Sequence, residues 1–221
     1  MSIATNLQKI KSTLPENVTL VAVSKTKPVS TLMQAYDAGH RVFGENKVQE
    51  MVAKWEEMPK DIQWHMIGHL QRNKVKYMAE FVSLIHGVDS LKLLKEIDKQ
   101  AKKHKRVIDC LLQIHIATED TKFGMDEEEV NMLLGSVDFA MLQNIKVVGL
   151  MGMATFTDDQ EQIKKEFLFL KALYDNLQEM NTANCDLSTL SMGMSGDYQI
   201  AIQCGSTMVR IGSSIFGARN Y

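Results

Sequence analysis

Short apolar runs alternate with amphipathic stretches along the chain. The first run, at 18–25, is rich in β-branched residues and ends on Lys25, a pattern typical of a parallel strand that is buried on both faces. Similar runs predict seven further strands, at 41–44, 62–67, 81–85, 107–116, 147–151, 186–191 and 209–212. Helical periodicity between these runs predicts helices at 29–38, 45–57, 72–80, 90–103, 126–134, 160–180 and 198–203.

Eight successive strand–helix units, with no low-complexity linker between them, predict an α/β fold, a (β/α)8 TIM barrel. An open, doubly wound sheet is the competing architecture. We expect one domain over residues 1–221. Residues 1–14 carry their apolar side chains on one helical face, which predicts a leading helix that covers the bottom of the barrel.

Lys25 lies at the predicted carboxyl end of the first strand. In both candidate architectures, ligands bind at that end of the strands. A desolvated lysine amine is a good nucleophile and forms Schiff bases with carbonyl compounds. A side chain that simply points to water is the alternative interpretation of the same position.

Composition narrows the classes of partner. The formal net charge is −2, which argues against a nucleic-acid partner. No apolar stretch approaches the length of about 20 residues that a membrane helix needs, and the first residues lack the pattern of a signal peptide. The three cysteines show neither paired nor metal-like spacing. We therefore expect a cytoplasmic protein with no membrane partner and no bound metal.

Two segments rich in glycine and serine, 191–197 and 212–217, follow the predicted seventh and eighth strands. Loops at these two positions hold a phosphate group in many barrels, because backbone amides and serine hydroxyls can donate to its oxygens. Tight turns are the alternative explanation. Arg210, inside the eighth strand, needs a partner, which is either an acidic core residue or a ligand atom. With Lys25, these features imply a flat, phosphorylated cofactor that carries an aldehyde.

Five motifs carry a resemblance to a known family. They lie at 22–28, 43–50, 64–74, 190–197 and 205–212. Together they resemble the signatures of the pyridoxal phosphate homeostasis protein family, a group of single-domain barrels similar to the amino-terminal domain of alanine racemase. The resemblance runs from near the amino terminus to Tyr221.

The resemblance implies that the cofactor is pyridoxal 5′-phosphate (PLP). The cofactor-binding residues that it implies are Lys25, Asn46, Ser195, Arg210, Gly212 and Ser213. Lys25 would form the internal aldimine, a Schiff base with PLP. Arg210 would face the pyridine nitrogen and keep it unprotonated, which weakens the ring as an electron sink. Ser195, with the backbone of Gly212 and Ser213, would bind the phosphate.

The ring face of the cofactor would be lined by Asn46 and residues 67–70. Lys47 departs from the family pattern, because many relatives carry tyrosine there, and this leaves the role of that side chain open. The sequence also holds no counterpart of the second, β-rich domain of true racemases. Racemisation by two bases needs an acid or base on each face of the substrate carbon. His65, His69 and His115 are candidates for the second base, or are hydrogen-bonded core residues.

The function that the resemblance implies is a PLP carrier that takes part in intracellular PLP and vitamin B6 homeostasis, with little turnover of its own. No catalytic residue is assigned. PLP-dependent apo-enzymes are expected as partners, and a monomer is expected because the dimer-forming domain is missing. A PLP-dependent enzyme similar to an amino-acid racemase is one alternative. A Schiff-base aldolase that acts on a phosphosugar is another.

Overall fold

The described parts of the chain, residues 2–118, 123–180 and 182–217, form eight parallel strands that close into a barrel in this computed structural model. The strands follow chain order around the barrel, and the first pairs with the last. Their bounds are β1 Thr19–Val23, β2 Val42–Glu45, β3 Gln63–Met66, β4 Leu84–Val88, β5 Ile108–Ile114, β6 Ile145–Gly152, β7 Cys185–Met194 and β8 Met208–Ile211. The prediction of a (β/α)8 barrel is confirmed, and the open sheet is excluded.

Helices surround this barrel. Those in the described residues are α1 Ile3–Lys11, α2 Val29–Asp37, α3 Val48–Glu57, the 3-10 helix Arg72–Tyr77, α4 Leu91–Lys103, α5 Glu127–Leu134, α6 Val137–Ala140, α7 Gln160–Leu177, α8 Tyr198–Gln203 and α9 Ser213–Phe216. None of them combines the length and the apolar character that crossing a membrane requires.

The structure differs from the sequence-based prediction in several elements. The α-helix predicted at 72–80 is a single stretch of 3-10 helix. The short helices α6 and α9 were not predicted. Strand β7 continues to Met194, so the predicted phosphate segment begins inside the strand. The leading helix α1 packs against α2 and α9 in the outer ring, rather than across the bottom of the barrel.

Side chains that point into the barrel form layers, because alternate residues of each strand face the interior. The lower layer is apolar and consists of Val21, Leu84, Leu111, Met151 and Met208. Two residues further along their strands, the interior becomes polar. His86 follows Leu84, and Arg210 follows Met208, and both are buried. Above this polar layer, the barrel opens into a cavity at the carboxyl ends of the strands.

Candidate functional site

The cavity at the carboxyl end of the barrel has a volume of about 540 Å³. All six residues that the sequence predicted for cofactor binding line it, namely Lys25, Asn46, Ser195, Arg210, Gly212 and Ser213. They come from β1, β2, β7 and β8 or from the loops that follow these strands. The closed barrel therefore brings residues from both ends of the sequence to one cavity.

Lys25 belongs to a turn that begins immediately after β1. Its side chain lines the cavity and is half-buried. Thr26, the next residue, has φ 63° and so lies in the left-handed region, which is unusual for a β-branched residue. The backbone N–H of Thr26 donates to Glu50 Oε1 over 2.6 Å. This hydrogen bond ties the turn to helix α3.

A buried ionic cluster lies on the outer side of β1 and β2, facing α3. Lys54 Nζ donates to Glu45 Oε1 over 2.6 Å, to Glu50 Oε1 over 2.7 Å and to the carbonyl of Ser24 over 2.8 Å. Ser24 Oγ donates to Glu45 Oε1 over 2.6 Å. We call Ser24, Glu45, Glu50 and Lys54 the Lys54 cluster. Burial raises the pKa of Glu45, and the charge of Lys54 partly offsets that effect.

Sequence reasoning assigned no role to the Lys54 cluster, although a signal for it exists. Glu50 and Lys54 are four residues apart on a helix, the spacing at which side chains pair. Glu45 ends a strand whose other residues are apolar or glycine. Burying a carboxylate there without a cation would cost free energy of folding, so the position of Glu45 indicates a cationic partner on the next element.

The turn after β7 and the turn after β8 meet at one wall of the cavity. The Gly212 N–H donates to Ser195 Oγ over 3.3 Å. Gly193 has φ 96°, and a Cβ there would lie 2.6 Å from the Cβ of Ala201. Gly212 is tightly packed, because its Cβ would lie 3.0 Å from the Val23 carbonyl. Glycine at these positions lets β7 approach α8 and lets the turn after β8 approach the end of β1.

Arg210 is buried under the cavity, with 4% of its surface exposed. Its Nη1 donates to the Ser191 carbonyl over 2.9 Å and to Ser191 Oγ over 2.6 Å, and its Nη2 donates to the Gly152 carbonyl over 3.0 Å. Burial lowers the pKa of Arg210 to about 10, and the charge of Asp197 partly offsets this. The side chain therefore remains a cation at neutral pH.

Two histidines extend this hydrogen-bond chain beyond Ser191. His86 Nδ1 lies 3.1 Å from Ser191 Oγ, and His86 Nε2 lies 3.0 Å from His65 Nδ1. Burial lowers the pKa of His65 to about 3 and the pKa of His86 well below its ordinary value. Both rings are therefore neutral. Because Ser191 Oγ accepts from Arg210, its own proton can be donated to His86 Nδ1, and His86 Nε2–H can then donate to His65.

The three histidines that were candidates for a second base lie elsewhere. His65 belongs to the hydrogen-bond chain that starts at Arg210. The ring of His69 stacks on Phe123 at a centroid distance of 4.2 Å, and its Nδ1 lies 3.5 Å from Asp89 Oδ2. Within the described residues, neither these two nor His115 contributes to the lining of the cavity. His86, which sequence reasoning missed, carries no motif and is recognisable only from its partners.

The loop after β6 completes the cavity wall, and sequence reasoning did not predict its part. Thr155, Phe156 and Asp158 line the cavity from this loop. Glu166 on α7 holds it in place, because its Oε2 accepts from the Thr155 N–H over 2.6 Å and its Oε1 accepts from Thr155 Oγ1 over 2.7 Å. The Phe156 side chain is 96% exposed at the rim.

Comparison with known proteins places the chain in a family. The sequence model described as "Alanine racemase, N-terminal domain" matches residues 1–220. A pyridoxal phosphate homeostasis protein of Aquifex aeolicus is 42% identical over 205 residues, which cover 91% of this chain and 87% of the relative. The chain belongs to the pyridoxal phosphate homeostasis protein family. The resemblance that the five motifs indicated is therefore confirmed.

Solved structures similar to this chain include PipY and an alanine racemase. The structure of PipY from Synechococcus elongatus with PLP bound has a TM-score of 0.89 and 35% identity, and the match covers 98% of this chain and 100% of PipY. An alanine racemase of Clostridium difficile has a TM-score of 0.79 and 17% identity, and the match covers 60% of that enzyme. The second likeness shows a shared fold.

Proposed function

We propose that this protein binds PLP and takes part in its intracellular homeostasis and carriage, with the cofactor held as a Schiff base on Lys25. The observation that carries this proposal is the meeting of Lys25, Arg210 and the Ser195–Gly212 contact at one cavity. The names of the relatives support it, because the protein from Aquifex aeolicus is named for PLP homeostasis and PipY was solved with PLP bound.

The residues of the cavity fit such a cofactor. When bound, PLP supplies an aldehyde that condenses with a deprotonated amine, so that a C=N bond forms and the aldehyde oxygen leaves as water. Lys25 supplies the amine. The Ser195 hydroxyl and the Ser213 backbone amide would donate to phosphate oxygens. The Gly212 N–H, which donates to Ser195 Oγ, would hold that hydroxyl in position. Asn46 lines the wall between β1 and β3. A cavity of about 540 Å³ is within the size range of small-molecule sites.

Arg210 would set the electronic properties of the bound cofactor. Its hydrogen bonds to Ser191 and Gly152 fix the guanidinium under the cavity. The resemblance implies that this cation would keep the pyridine nitrogen unprotonated, so that the ring would withdraw electrons less strongly.

A racemase-like enzyme is the alternative, and the structure offers it little support. Two-base racemisation needs a proton donor or acceptor on each face of the substrate carbon. The three candidate histidines do not line the described cavity. We therefore propose holding of the cofactor rather than racemisation. Solvent deuterium exchange at the α-carbon of several amino acids tests this choice, and rapid exchange would favour the enzyme.

Four further points belong to the same proposal. We propose that residues 1–221 act as one PLP-binding domain, which the family match over residues 1–220 supports. We also propose that the protein works in the cytoplasm, that it is a monomer, and that PLP-dependent apo-enzymes receive the cofactor from it. Sedimentation of the purified protein tests the monomer. Reactivation of an apo-enzyme by the loaded protein tests the transfer.

The first prediction concerns Lys25 directly. Protein incubated with PLP gains an absorption band in the visible region, and borohydride removes that band and leaves added mass on the peptide that contains Lys25. The Lys25→Ala variant keeps its fold, because the side chain lies in a turn outside the packed layers. It loses the adduct at position 25 but retains weak binding through the phosphate group.

Lys47→Ala is the matched control, because Lys47 is exposed and lies next to Asn46 without lining the cavity. This variant forms the Lys25 adduct to the same extent as the wild type. A wild-type protein that stays colourless with PLP would contradict the proposed function. So would an adduct that maps to another lysine of the wild-type protein.

A further inference from the structure

We propose that the Lys54 cluster is a positioning device for Lys25. Its members hold the two residues that flank Lys25, so that the amine enters the cavity in a reactive orientation. They are positioning residues and do not line the cavity themselves. The inference rests on the proposed function, in which Lys25 is the residue that binds the cofactor covalently.

The Lys54 ammonium is buried and saturated with acceptors. The side chain of Lys54 is 6% exposed and that of Glu45 is fully buried. Glu45, Glu50 and the Ser24 carbonyl provide one acceptor for each of the three ammonium protons. These contacts join helix α3 to the end of β2 and to the end of β1. A cation with three fixed acceptors holds these elements in one arrangement.

The cluster reaches both neighbours of Lys25. On the amino-terminal side, the Ser24 carbonyl accepts from Lys54 and its hydroxyl donates to Glu45. On the carboxy-terminal side, the Thr26 N–H donates to Glu50. Since Thr26 lies in the left-handed region at φ 63°, this bond holds a backbone conformation that threonine disfavours. Hydrogen bonds to the Lys54 cluster thus fix both residues that flank Lys25.

Alternation along the strands separates the anchors from the reactive group. Ser24 and Glu45 face outward to α3, whereas Lys25 and Asn46, one residue later in each case, face the cavity. The cluster therefore controls the backbone of the turn without contact with the ligand. This separation makes it possible to remove the anchors and leave the cavity lining unchanged.

General stabilisation explains the cluster poorly. Buried ion pairs contribute little net stability compared with apolar side chains of the same shape. Within the described residues, Glu45 Oε2 is buried without a hydrogen-bond partner, which is a further cost. Leucine and methionine side chains at these positions would join α3 to the barrel more simply. The hydrogen bonds to the turn give the charged groups a role that apolar side chains could not fill.

The experiment separates covalent capture from non-covalent binding. PLP is compared with 4-deoxypyridoxine 5′-phosphate, an analogue that has no aldehyde and cannot condense with an amine. The central pair of variants is Glu50→Ala and Glu50→Gln, because the Glu50 side chain is 23% exposed and glutamine keeps an oxygen that can accept from Thr26. Lys54→Met removes the cation and keeps a similar shape.

We expect Glu50→Ala and Lys54→Met to slow the formation of the Schiff base about tenfold or more, because small misplacements of reacting groups have large effects on rate. Affinity for the analogue stays within about threefold of the wild type, because the cavity lining is unchanged. Glu50→Gln reacts with PLP at nearly the wild-type rate. Lys171→Met, which removes an exposed ion pair of the same i,i+4 spacing, is the control and reacts as the wild type does.

Each outcome decides a different point. Wild-type rates in folded Glu50→Ala and Lys54→Met would overturn the positioning role. An equal loss of PLP and analogue binding would also overturn it, because the cluster would then shape the whole cavity. If Lys54→Met unfolds, the two Glu50 variants decide. A wild-type protein that binds the analogue but never forms the Schiff base would instead refute the proposed function.

Discussion

At the scale of single residues, Arg210 shows how this barrel accommodates an interior cation. Its hydrogen-bond acceptors are a hydroxyl and two backbone carbonyls, which compensate for part of the lost hydration. The Ser191 hydroxyl is hydrogen-bonded to His86, and His86 is hydrogen-bonded to His65. Along the chain from Arg210 to His65, each neutral group can accept a hydrogen bond from the group before it. These acceptors stabilise the Arg210 charge without a hydrogen bond to a buried carboxylate.

Because three histidines are buried, we predict that the protein loses stability in mild acid. Burial lowers the pKa of His40 to about 4 and the pKa of His65 to about 3, and it lowers the pKa of His86 well below 6.5. Below pH 6.5 the unfolded chain binds protons at these rings that the folded chain does not bind. The free energy of unfolding therefore falls between pH 7.5 and 5.5, by about 1 kcal/mol for each histidine.

Urea denaturation at several pH values in this range measures the effect. A free energy of unfolding that stays constant between pH 7.5 and 5.5 would show that the buried rings are accessible to protons in the folded state.

Sequence reasoning located some of these residues and missed others for a physical reason. Lys25 and Arg210 could be predicted to share a cavity. Lys25 follows the end of an apolar strand and Arg210 lies inside one, and a charge is unusual at both positions. His86 and Lys54 could not be assigned roles, because their partners lie on other elements. The His86 chain depends on which residues of β3, β4, β7 and β8 face the interior at the same height.

At the scale of elements, the segment 72–82 shows how a correct burial pattern can accompany a wrong helix type. Val75, Met78, Ala79 and Val82 are all buried, as a helix would require. The backbone nevertheless forms only a 3-10 helix, Arg72–Tyr77, followed by turns. Spacings of three and four residues occur in both conformations, so the pattern predicts the buried face and not the hydrogen-bond type.

Strands β6 and β7 make an unusually close approach at Gly149. A Cβ there would lie 1.7 Å from the Thr189 carbonyl oxygen, at a point where the register between the two strands shifts. Both strands are in the closed barrel, so neither can move away freely. We expect Gly149→Ala to lower the free energy of unfolding by about 2 kcal/mol or more.

Chemical denaturation measures this change. Gly196→Ala is the matched control, because nothing lies within 4 Å of a Cβ at that position, and it unfolds at nearly the wild-type urea concentration. Equal stability of the Gly149→Ala variant and the wild type would mean that the β6–β7 ladder adjusts to the added methyl group.

At the scale of the whole molecule, ligand binding and stability are coupled. The cavity walls come from β1, β2, β7 and β8 and exist only in the folded barrel, so we expect PLP to bind the folded state in preference to the unfolded one. At a free concentration of about 100 times its Kd, a ligand contributes about 2.7 kcal/mol. For a chain of this length we expect PLP to raise the Tm by about 5 to 10 °C.

Thermal denaturation with and without PLP tests this prediction, and the Lys25→Ala variant shows a smaller increase in Tm.

The three cysteines give an independent measurement of the same coupling. Cys110, Cys185 and Cys204 are buried, and burial raises the pKa of each thiol, in Cys185 to about 11. Their alkylation therefore requires opening of the structure, and PLP slows it. A Tm and an alkylation rate that PLP leaves unchanged would contradict the coupling.

The pairing of β1 with β8 has a consequence for how the protein is made. Val21 stands opposite Arg210 in this ladder, so the first strand of the barrel carries the turn with Lys25 and the last strand carries the cation. A ribosome releases Lys25 long before it releases Arg210. The growing chain therefore presents its amine without the pocket around it, and the complete site arises only when the last strand joins the first. Capture of the aldehyde in this pocket thus becomes a property of the finished protein.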